Sequence, residues 1–296
     1  MLIQAAAAAT GTQQHPGATL YVVATPIGNL ADLTLRAIHL LGQVDAVACE
    51  DTRVTGRLLH HLGLEKPLLS VHEHNERAAS AQVIERLAQG QRVAYASDAG
   101  TPAVSDPGSA LVAAVAAAGY RVVPVPGASA AVAALSVAGD AASRAFSFHG
   151  FLPAKPRERG EALAQLLAQP GSQVLFEAPH RISDLLGLLA QQAPGRRLTL
   201  CRELTKQFEQ VHTLEAAAAP AWLAADPQRG RGEFVVVVHA CAATPTDEAL
   251  PAEAVRALEL LLAELPLKQA VALAAQISGA ARNALYSHAL QWRERS

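Results

Sequence analysis

Short apolar runs recur along the first half of the chain and predict the strands of one sheet. They lie at Leu20–Ala24, Val44–Cys49, Pro67–Val71, Arg92–Ala96 and Arg121–Val125. Runs that are apolar on both faces are typical of parallel strands covered by helices on both sides. The stretches between these runs begin with residues that can cap a helix and mostly end at a glycine, which predicts helices. Alternating strands and helices indicate an α/β fold.

The capping residues and glycines also predict where the helices begin and end. We expect the first four helices to begin at Asp32, Thr55, Asn75 and Ser109. The stretch Ala110–Ala118 is apolar all round, so we expect this helix to be buried.

A second unit begins beyond Gly139, where the segment Phe146–Pro153 has the composition of a junction. Helices are predicted over 158–169 and 181–190, and strands over 173–177, 197–202, 207–213 and 233–239. Residues 242–250 have linker composition. Three helical patterns follow, over 252–264, 267–277 and 281–291, and the last two have helix-turn-helix spacing.

The pattern divides the chain into four parts. We predict a disordered tail over residues 1–18, an N-terminal α/β domain over 19–140, a C-terminal α/β domain over 141–242 and a helical extension over 251–296. The tail has an alanine run but no basic segment before it, so we interpret it as something other than a signal peptide.

Composition narrows the class of protein. The chain has 296 residues, of which 51% are hydrophobic and 17% charged, which excludes an intrinsically disordered protein. Its net charge of -2 excludes a generic binder of polyanions, so any contact with nucleic acid needs a local basic patch. Three widely spaced cysteines favour a reducing cytoplasm over a disulfide framework. No apolar run approaches the roughly 18 residues of a membrane helix.

Four loops that follow predicted strands carry the candidate chemistry. They span residues 25–30, 50–53, 97–108 and 124–130 and are rich in small residues and proline. Ligands of open α/β sheets bind beyond the carboxyl ends of the strands, and small residues let backbone approach them closely. Ordinary turns are the alternative for any single loop. The chain lacks the glycine-rich motif of Rossmann dinucleotide sites, the P-loop and the nucleophile elbow of α/β-hydrolases.

These loops and several later segments resemble one family. The segments are YVVATPIGNLADLTLRA, CEDTR, SDAGTPAVSDPG, VPVPGASAAVAAL, FHGFLPAK, FEAPHR, RELTKQFE and RGEFVVVV, in this order between Leu20 and His239. They are similar to the tetrapyrrole-methylase-like (class III) methyltransferases, and within them to the bacterial branch that 2'-O-methylates a cytidine in the decoding region of 16S ribosomal RNA. The segment from Leu265 to Tyr286 resembles the C-terminal extension of that branch. The loop PGASA departs modestly, since relatives often carry a second proline or a cysteine there.

The resemblance implies two α/β domains with a cleft between them, a small C-terminal helical module, and a homodimer. It also implies that S-adenosylmethionine binds folded in the cleft. Carried over by position, its contacts come from Pro26, Asp98, Gly100, Thr101, Ala103, Ser129, Ala130 and Phe176.

Transfer of a methyl group to a ribose hydroxyl needs positioning and gains from a general base. The candidate catalytic residues are named only as a group: Glu50, Asp51, Arg53, Glu177, Arg181 and Glu203. Asp106 is a further candidate base, and Arg202 and Lys206 could hold flanking phosphates. The alternative is that Glu177 with Arg181, and Glu203 with Lys206, are ordinary ion pairs.

The C-terminal helices are the candidate RNA-binding surface. Between Pro266 and Ser296 there are four cations, Lys268, Arg282, Arg293 and Arg295, and a single acid, Glu294. On the last helix Arg282, Asn283 and Tyr286 offer hydrogen bonding and stacking. A bundle that serves stability or dimer contact is the alternative.

The expected partner is the small ribosomal subunit or its 16S rRNA, with no membrane association. His60–His61 and His72–Glu73–His74 lack a third ligand at helix spacing, so we expect no metal. Two rival functions are a tetrapyrrole carbon-methylase of the same fold and a non-catalytic ribosome-binding protein.

Overall fold

The computed structural model describes residues 2–11, 13–72, 75–241 and 250–295. The strands are β1 (Thr19–Val23), β2 (Ala46–Cys49), β3 (Leu68–Ser70), β4 (Arg92–Ala96), β5 (Arg121–Val125), β6 (Phe146–Phe151), β7 (Ser172–Glu177), β8 (Arg197–Arg202), β9 (Gln210–Glu215) and β10 (Phe234–Val238). The helices are α1 (Leu2–Thr10), α2 (Leu35–Gln43), α3 (Thr52–His61), α4 (Glu76–Ala88), α5 (Ser109–Ala117), α6 (Ala130–Ala138), α7 (Pro156–Leu167), α8 (Ile182–Gln192), α9 (Ala219–Ala224), α10 (Ala252–Glu264), α11 (Leu267–Ser278) and α12 (Arg282–Arg295).

The first sheet is parallel, in the order β3-β2-β4-β1-β5. One face packs on α1, α2 and α3 around Tyr21, Ile38 and Leu59. The other packs on α4 and α5 around Val83 and Leu111. The predicted parallel sheet covered on both faces is confirmed. All five strands end at one edge, which brings the loops that follow them together.

The second sheet is mixed, in the order β6-β7-β10-β8-β9. Only β6 and β7 run parallel, and the other neighbours are antiparallel. Its two faces bury separate clusters, one under α7, α8 and α9 and the other under α6. The predicted α/β fold with two sheets is confirmed. The first compact unit, Met1–Ala240, contains both sheets, so the boundary at residue 140 stays a prediction.

Helix α6 joins the two sheets through packing that the sequence pattern did not predict. It leaves the loop after β5, yet Ala131, Ala134 and Ala138 pack against Val174 and Val237 of the second sheet. Its small residues give weak helical periodicity, which is why the pattern missed it. The predicted junction contains β6, whose register is irregular between Phe148 and Gly150.

Two expectations about helices differ from the structure. The tail predicted to be disordered forms α1 over Leu2–Thr10 and packs on α2 with Ala6 buried. Alanine has the highest helix propensity, and the packing of this run on α2 adds to that preference. Helix α5 buries Leu111 and Val115 but leaves Ala113 exposed, so the expectation of full burial is wrong. An alanine face is small enough to stay in water at little cost.

Two of the predicted cap positions are also shifted. The Asp32 carboxylate does not open α2. Thr34 caps this helix by accepting from the Ala37 N–H, because residues 30–32 form a short 3-10 turn. Asp51 rather than Thr55 caps α3, by accepting from the Arg53 N–H.

The second compact unit, Cys241–Ser296, holds the three C-terminal helices. They enclose a core of Ala254, Leu258, Val271, Ala274 and Leu285. Helix α11 ends at Gly279 in the left-handed conformation, which starts the turn into α12. Among the described residues no helix is both long and apolar enough to span a membrane.

A buried polar network lies where β10 ends. The imidazole Nε2 of His239 hydrogen-bonds the Thr199 hydroxyl at 2.8 Å, and its Nδ1 lies 4.0 Å from an Asp140 carboxylate oxygen. Asp140 also accepts from the Ser172 hydroxyl and from the Ala240 N–H. Burial lowers the pKa of His239 below 6.5, outweighing the opposing effect of Asp140.

We expect this histidine to make the fold less stable in acid. Because its folded-state pKa is lowered, the unfolded chain takes up the proton first as pH falls, so stability is complete above about pH 7 and declines below it. The variant His239→Gln should show a shallower fall in melting temperature between about pH 7 and pH 5. The exposed His180→Gln is the control and should keep the wild-type slope. Equal slopes for all three proteins would refute the assignment.

Candidate functional site

The loops after β1, β4 and β5 are bonded to one another at the edge of the first sheet. Thr25 and Gly100 exchange two backbone hydrogen bonds, of 2.8 and 3.1 Å. The Thr25 hydroxyl donates to the Ser97 carbonyl, and the Thr101 hydroxyl donates to the Ala128 carbonyl at 3.0 Å. Each loop is therefore fixed by its neighbours before any ligand binds.

Glycine is required at two points of this arrangement. Gly100 has φ +80°, and a Cβ there would lie 3.3 Å from the Ile27 side chain. A Cβ on Gly127 would lie 2.9 Å from the Ala24 Cβ. In the loop that contains Gly100, Ala103 and Ser105 also have positive φ, a conformation that non-glycine residues rarely adopt. Such strain is typical of functional loops.

A cavity of about 340 Å³ lies between these loops and the second sheet. Its lining from the first half of the chain is Ile27, Ala99, Gly100, Thr101, Val104, Ser105, Asp106, Ser129 and Ala130. Its lining from the second half is Phe151, Phe176, Glu177, Ala178, Pro179, Cys201, Leu204, Glu233, Phe234 and Val235. Small residues and backbone form one wall, and apolar side chains with a few acids form the other.

Most of the predicted cofactor contacts meet at this cavity. Gly100, Thr101, Ser129, Ala130 and Phe176 line it. The other three predicted positions, Pro26, Asp98 and Ala103, are absent from the lining, although each has a sequence neighbour there.

Glu177 is the most enclosed acid of the cavity. Its carboxylate is fully buried, and Oε1 accepts from the Ala178 N–H at 2.9 Å and pairs with Arg181 Nε at 3.1 Å. Oε2 is buried without a hydrogen-bond partner. Arg181 in turn donates to the Leu152 carbonyl at 2.6 Å, so the segment after β6 fixes the orientation of the pair. The pair is thus both an ion pair and part of the cavity.

Another group of predicted catalytic residues lies at the end of β2, outside the lining of this cavity. Asp51 pairs with Arg53 at 2.6 Å, and hydrogen bonds from Arg53 lower the pKa of the Asp51 carboxyl to about 2. The Asp51 N–H donates to Asp98 at 3.0 Å. Glu50 lines a separate acidic cavity together with Asp106, whose pKa is raised by burial.

Lys206 is held between two carboxylates at the rim. Its ammonium group lies 2.9 Å from Glu203 and 2.7 Å from Glu233. These two hydrogen bonds raise the pKa of Lys206 against the effect of burial, which is the largest single influence. Gly28 of the first loop packs on the Lys206 side chain, and this contact joins the two halves of the site. The predicted role of Lys206 in holding RNA is not favoured by these ion pairs, and Arg202 is likewise bonded to Gln210.

Several lining residues were not predicted from the sequence. Phe151 and Cys201 come from strands β6 and β8, and Glu233 comes from the turn before β10. Phe151 lies in the segment FHGFLPAK and Glu233 in RGEFVVVV, so the family resemblance points to both regions, whereas composition indicates only a junction over 146–153.

No group of three or more potential metal ligands occurs among the described residues. Glu73 and His74 of the predicted histidine segment lie outside the described residues. Trp222 stacks on His212 and receives Arg229 on its ring, which makes it a packing residue.

The chain matches two family profiles. Residues 19–220 match the family described as Tetrapyrrole (Corrin/Porphyrin) Methylases, and residues 248–293 match the RsmI C-terminal HTH domain. The chain belongs to the tetrapyrrole methylase family. The first profile covers both sheets except β10, and the second covers the three C-terminal helices.

Its relatives include proteins of nearly the same length. One from Pseudomonas aeruginosa, named "Ribosomal RNA small subunit methyltransferase I", is 50% identical over 92% of this chain and 97% of its own. Proteins of the same name from Escherichia coli O157:H7 and Neisseria meningitidis serogroup A are 47% and 48% identical, over 92% and 94% of this chain and 94% and 95% of their own. The chain therefore falls in the same branch of the family as these proteins.

Solved structures share the fold. The methyltransferase CobJ aligns with a TM-score of 0.57 at 22% identity, over 75% of this chain and 94% of its own. Uroporphyrin-III C-methyltransferase from Thermus thermophilus, complexed with S-adenosyl homocysteine, aligns with a TM-score of 0.53 at 16% identity, over 74% and 97%.

Proposed function

We propose that this protein transfers a methyl group from S-adenosylmethionine to ribosomal RNA of the small subunit, at the 2'-oxygen of a cytidine in the decoding region of 16S RNA. Relatives near 50% identity carry names that state rRNA methylation. The observation that carries the proposal is the prebuilt cavity, which offers backbone groups and small apolar walls to a zwitterionic, partly apolar cofactor. The three cysteines are free, which supports the expected cytoplasmic location.

The lining suits the cofactor in detail. S-adenosylmethionine carries an adenosine, a sulfonium and an amino acid, so it needs hydrogen-bonding backbone, apolar contact and negative charge. Thr101 and Ser129 stand on one wall and Phe176 on the other. Glu177 and Glu233 place carboxylate oxygens in the lining that can accept hydrogen bonds, while their charges are balanced by Arg181 and Lys206. A structural neighbour of the same fold holds the demethylated product.

Glu177 is the best-placed general base among the six candidates. When bound, S-adenosylmethionine would supply a methyl carbon open to attack by the ribose 2'-oxygen, and the electron pair of the broken carbon–sulfur bond would stay on sulfur. The hydroxyl proton passes to Glu177 Oε2, which is buried and free to accept it. Arg181 holds the other oxygen, so the carboxylate is oriented before the substrate arrives. The pairs Asp51–Arg53 and Glu203–Lys206 have their carboxylates engaged and lie outside the lining.

RNA binding by the C-terminal helices is part of the proposal. Arg282, Asn283 and Tyr286 are exposed at the start of α12. Lys268 lies in the first turn of α11, whereas the side chains of Arg293 and Arg295 lie outside the described residues. A match to an HTH domain supports this role, since such folds often place a helix against nucleic acid. The homodimer implied by the resemblance stays a prediction.

The rival function, carbon methylation of a tetrapyrrole, shares the fold and the cofactor site. Against it, the RsmI-type extension and the rRNA methyltransferase names occur together along nearly the whole chain. Incubation with small ribosomal subunits from a strain that lacks the enzyme, and with labelled methyl donor, tests both. We expect label in 2'-O-methylcytidine after digestion of the RNA. Label in another nucleoside, or a porphyrinoid product without labelled RNA, would overturn the assignment.

The base assignment predicts a specific loss. The variant Glu177→Gln keeps the shape and the Ala178 hydrogen bond but removes the proton acceptor, so kcat should fall by about 10²–10⁴-fold. Cofactor affinity should change by less than about tenfold, because the lining keeps its shape. Single-turnover methylation and calorimetry measure the two effects.

The matched control is Glu161→Gln, which breaks an exposed ion pair with Arg157 on α7. This variant should methylate at the wild-type rate. Wild-type kcat in Glu177→Gln, with the protein folded, would remove Glu177 from the mechanism.

Removal of the C-terminal extension should impair binding of the RNA substrate without impairing binding of the cofactor. Removal of residues 251–296 should weaken binding of the small subunit by at least about tenfold and leave cofactor binding unchanged, because those residues form a compact unit of their own. Filter binding and calorimetry measure these affinities. Unchanged affinity for the subunit would favour the stabilising bundle instead.

A further inference from the structure

A second, small cavity lies beside the edge strand of the first sheet. It has a volume of about 50 Å³ and is bounded by four separate segments: residues 13–16, strand β1, the first turn of α2 and strand β5. Its charged or titratable lining residues are His15, Tyr21, Arg36 and Arg121. The volume is of the order of one or two water molecules, which suits a single small oxyanion and is too small for a nucleoside.

The arginines of this cavity have no acidic partner. Among the described residues, the side chain of neither Arg36 nor Arg121 forms an ion pair or a hydrogen bond within the chain. Arg92 does not line the cavity and donates to the His15 and Gln43 carbonyls. The nearby acid, Asp45, accepts from the Arg92 N–H and does not line the cavity. Uncompensated guanidinium groups at one concave site attract anions.

His15 supplies an independent sign of a missing ligand. The residue is nine-tenths buried, and its Nε2 has no hydrogen-bond partner. The ring is fixed edge-on against Tyr21, whose hydroxyl donates to the Pro16 carbonyl. A buried polar atom without a partner costs free energy, so such atoms are normally satisfied by water or a ligand.

The titratable groups that act on His15 are all basic. Burial lowers the pKa of His15, and His39, Arg36 and Arg92 lower it further. No carboxylate acts on it in the opposite direction. An imidazole kept neutral among cations can still donate from Nε2 to an anion.

We propose that this cavity binds a phosphate group, held by the guanidinium groups of Arg36 and Arg121 and by the Nε2–H of His15. Planar guanidinium groups match the oxygens of phosphate in bidentate contacts. The group is either a backbone phosphate of the RNA substrate or free phosphate, since the two share this chemistry. Val125 lines the small cavity, and Ser129, only four residues later in the sequence, lines the large one. The two cavities are therefore close enough for one RNA strand to reach both.

The first arm of the test uses inorganic phosphate on the full-length protein. Phosphate added at constant ionic strength should raise the melting temperature of the wild type. Arg36→Gln and Arg121→Gln should each lose this shift and bind phosphate at least about tenfold more weakly by calorimetry. The control Arg77→Gln removes an exposed arginine from α4, on the opposite face of the sheet, and should respond like the wild type.

The variant Arg121→Lys keeps the positive charge. It tests whether a loss of phosphate binding in Arg121→Gln comes from misfolding. It should bind phosphate more weakly than the wild type but more tightly than Arg121→Gln. No shift in the wild type, or equal shifts in all five proteins, would overturn the proposal.

The second arm identifies the source of the phosphate. If RNA supplies it, Arg121→Gln should weaken binding of small-subunit RNA and reduce the slope of log affinity against log salt by about one unit. If the RNA slope is unchanged while phosphate binding is lost, the site holds free phosphate. The first arm does not depend on methyl transfer, so it stands apart from the test of the proposed function.

Discussion

The site depends on the cross-bonding of three loops at one edge of the parallel sheet. The paired backbone hydrogen bonds between Thr25 and Gly100 fasten the first loop to the second, and the bond from Thr101 to the Ala128 carbonyl fastens the second to the third. The loops need small residues because their backbones approach within the space of one methyl group. A ligand that reads backbone groups then finds them already in position, which reduces the entropic cost of binding.

The second half of the site is attached to the first by two contacts of different character. Helix α6 leaves the third loop and packs its alanines on the second sheet, which connects this loop to that sheet. At the opposite rim, Lys206 is bound between Glu203 and Glu233 while Gly28 lies against its side chain. The strained backbone of Glu203 and Thr205, both at positive φ, is tolerated because these ion pairs fix the turn. Apolar packing by α6 thus holds one side of the cavity together, and the ion pairs of Lys206 hold the opposite rim.

Local sequence pattern predicted the first sheet well, because its strands are apolar runs bounded by clear turn residues. It missed α6 and β6, since an alanine-rich helix has little amphipathic contrast and Phe146 and Phe151 stay exposed. It also placed the caps of α2 and α3 at the wrong residues, because Thr34 and Asp51 compete with other residues able to cap.

For the site, five of the eight positions that the family resemblance predicts to contact the cofactor line the cavity. The ranking of the acids could not be read from the chain. Whether a carboxylate is free or engaged depends on partners that are distant in sequence, as Leu152 is for Arg181 and so for Glu177.

The most direct measurement is calorimetric binding of S-adenosylmethionine and its demethylated product to the wild type, Gly100→Ala and Gly63→Ala. Both glycines have positive φ, but a Cβ on Gly63 meets open space, whereas one on Gly100 meets Ile27 in the cavity wall. Both variants should lose roughly 1 kcal/mol of stability from backbone strain. Binding by the wild type and Gly63→Ala, with at least about tenfold weaker binding by Gly100→Ala, is the predicted result. Failure of the folded wild type to bind either compound would contradict the account.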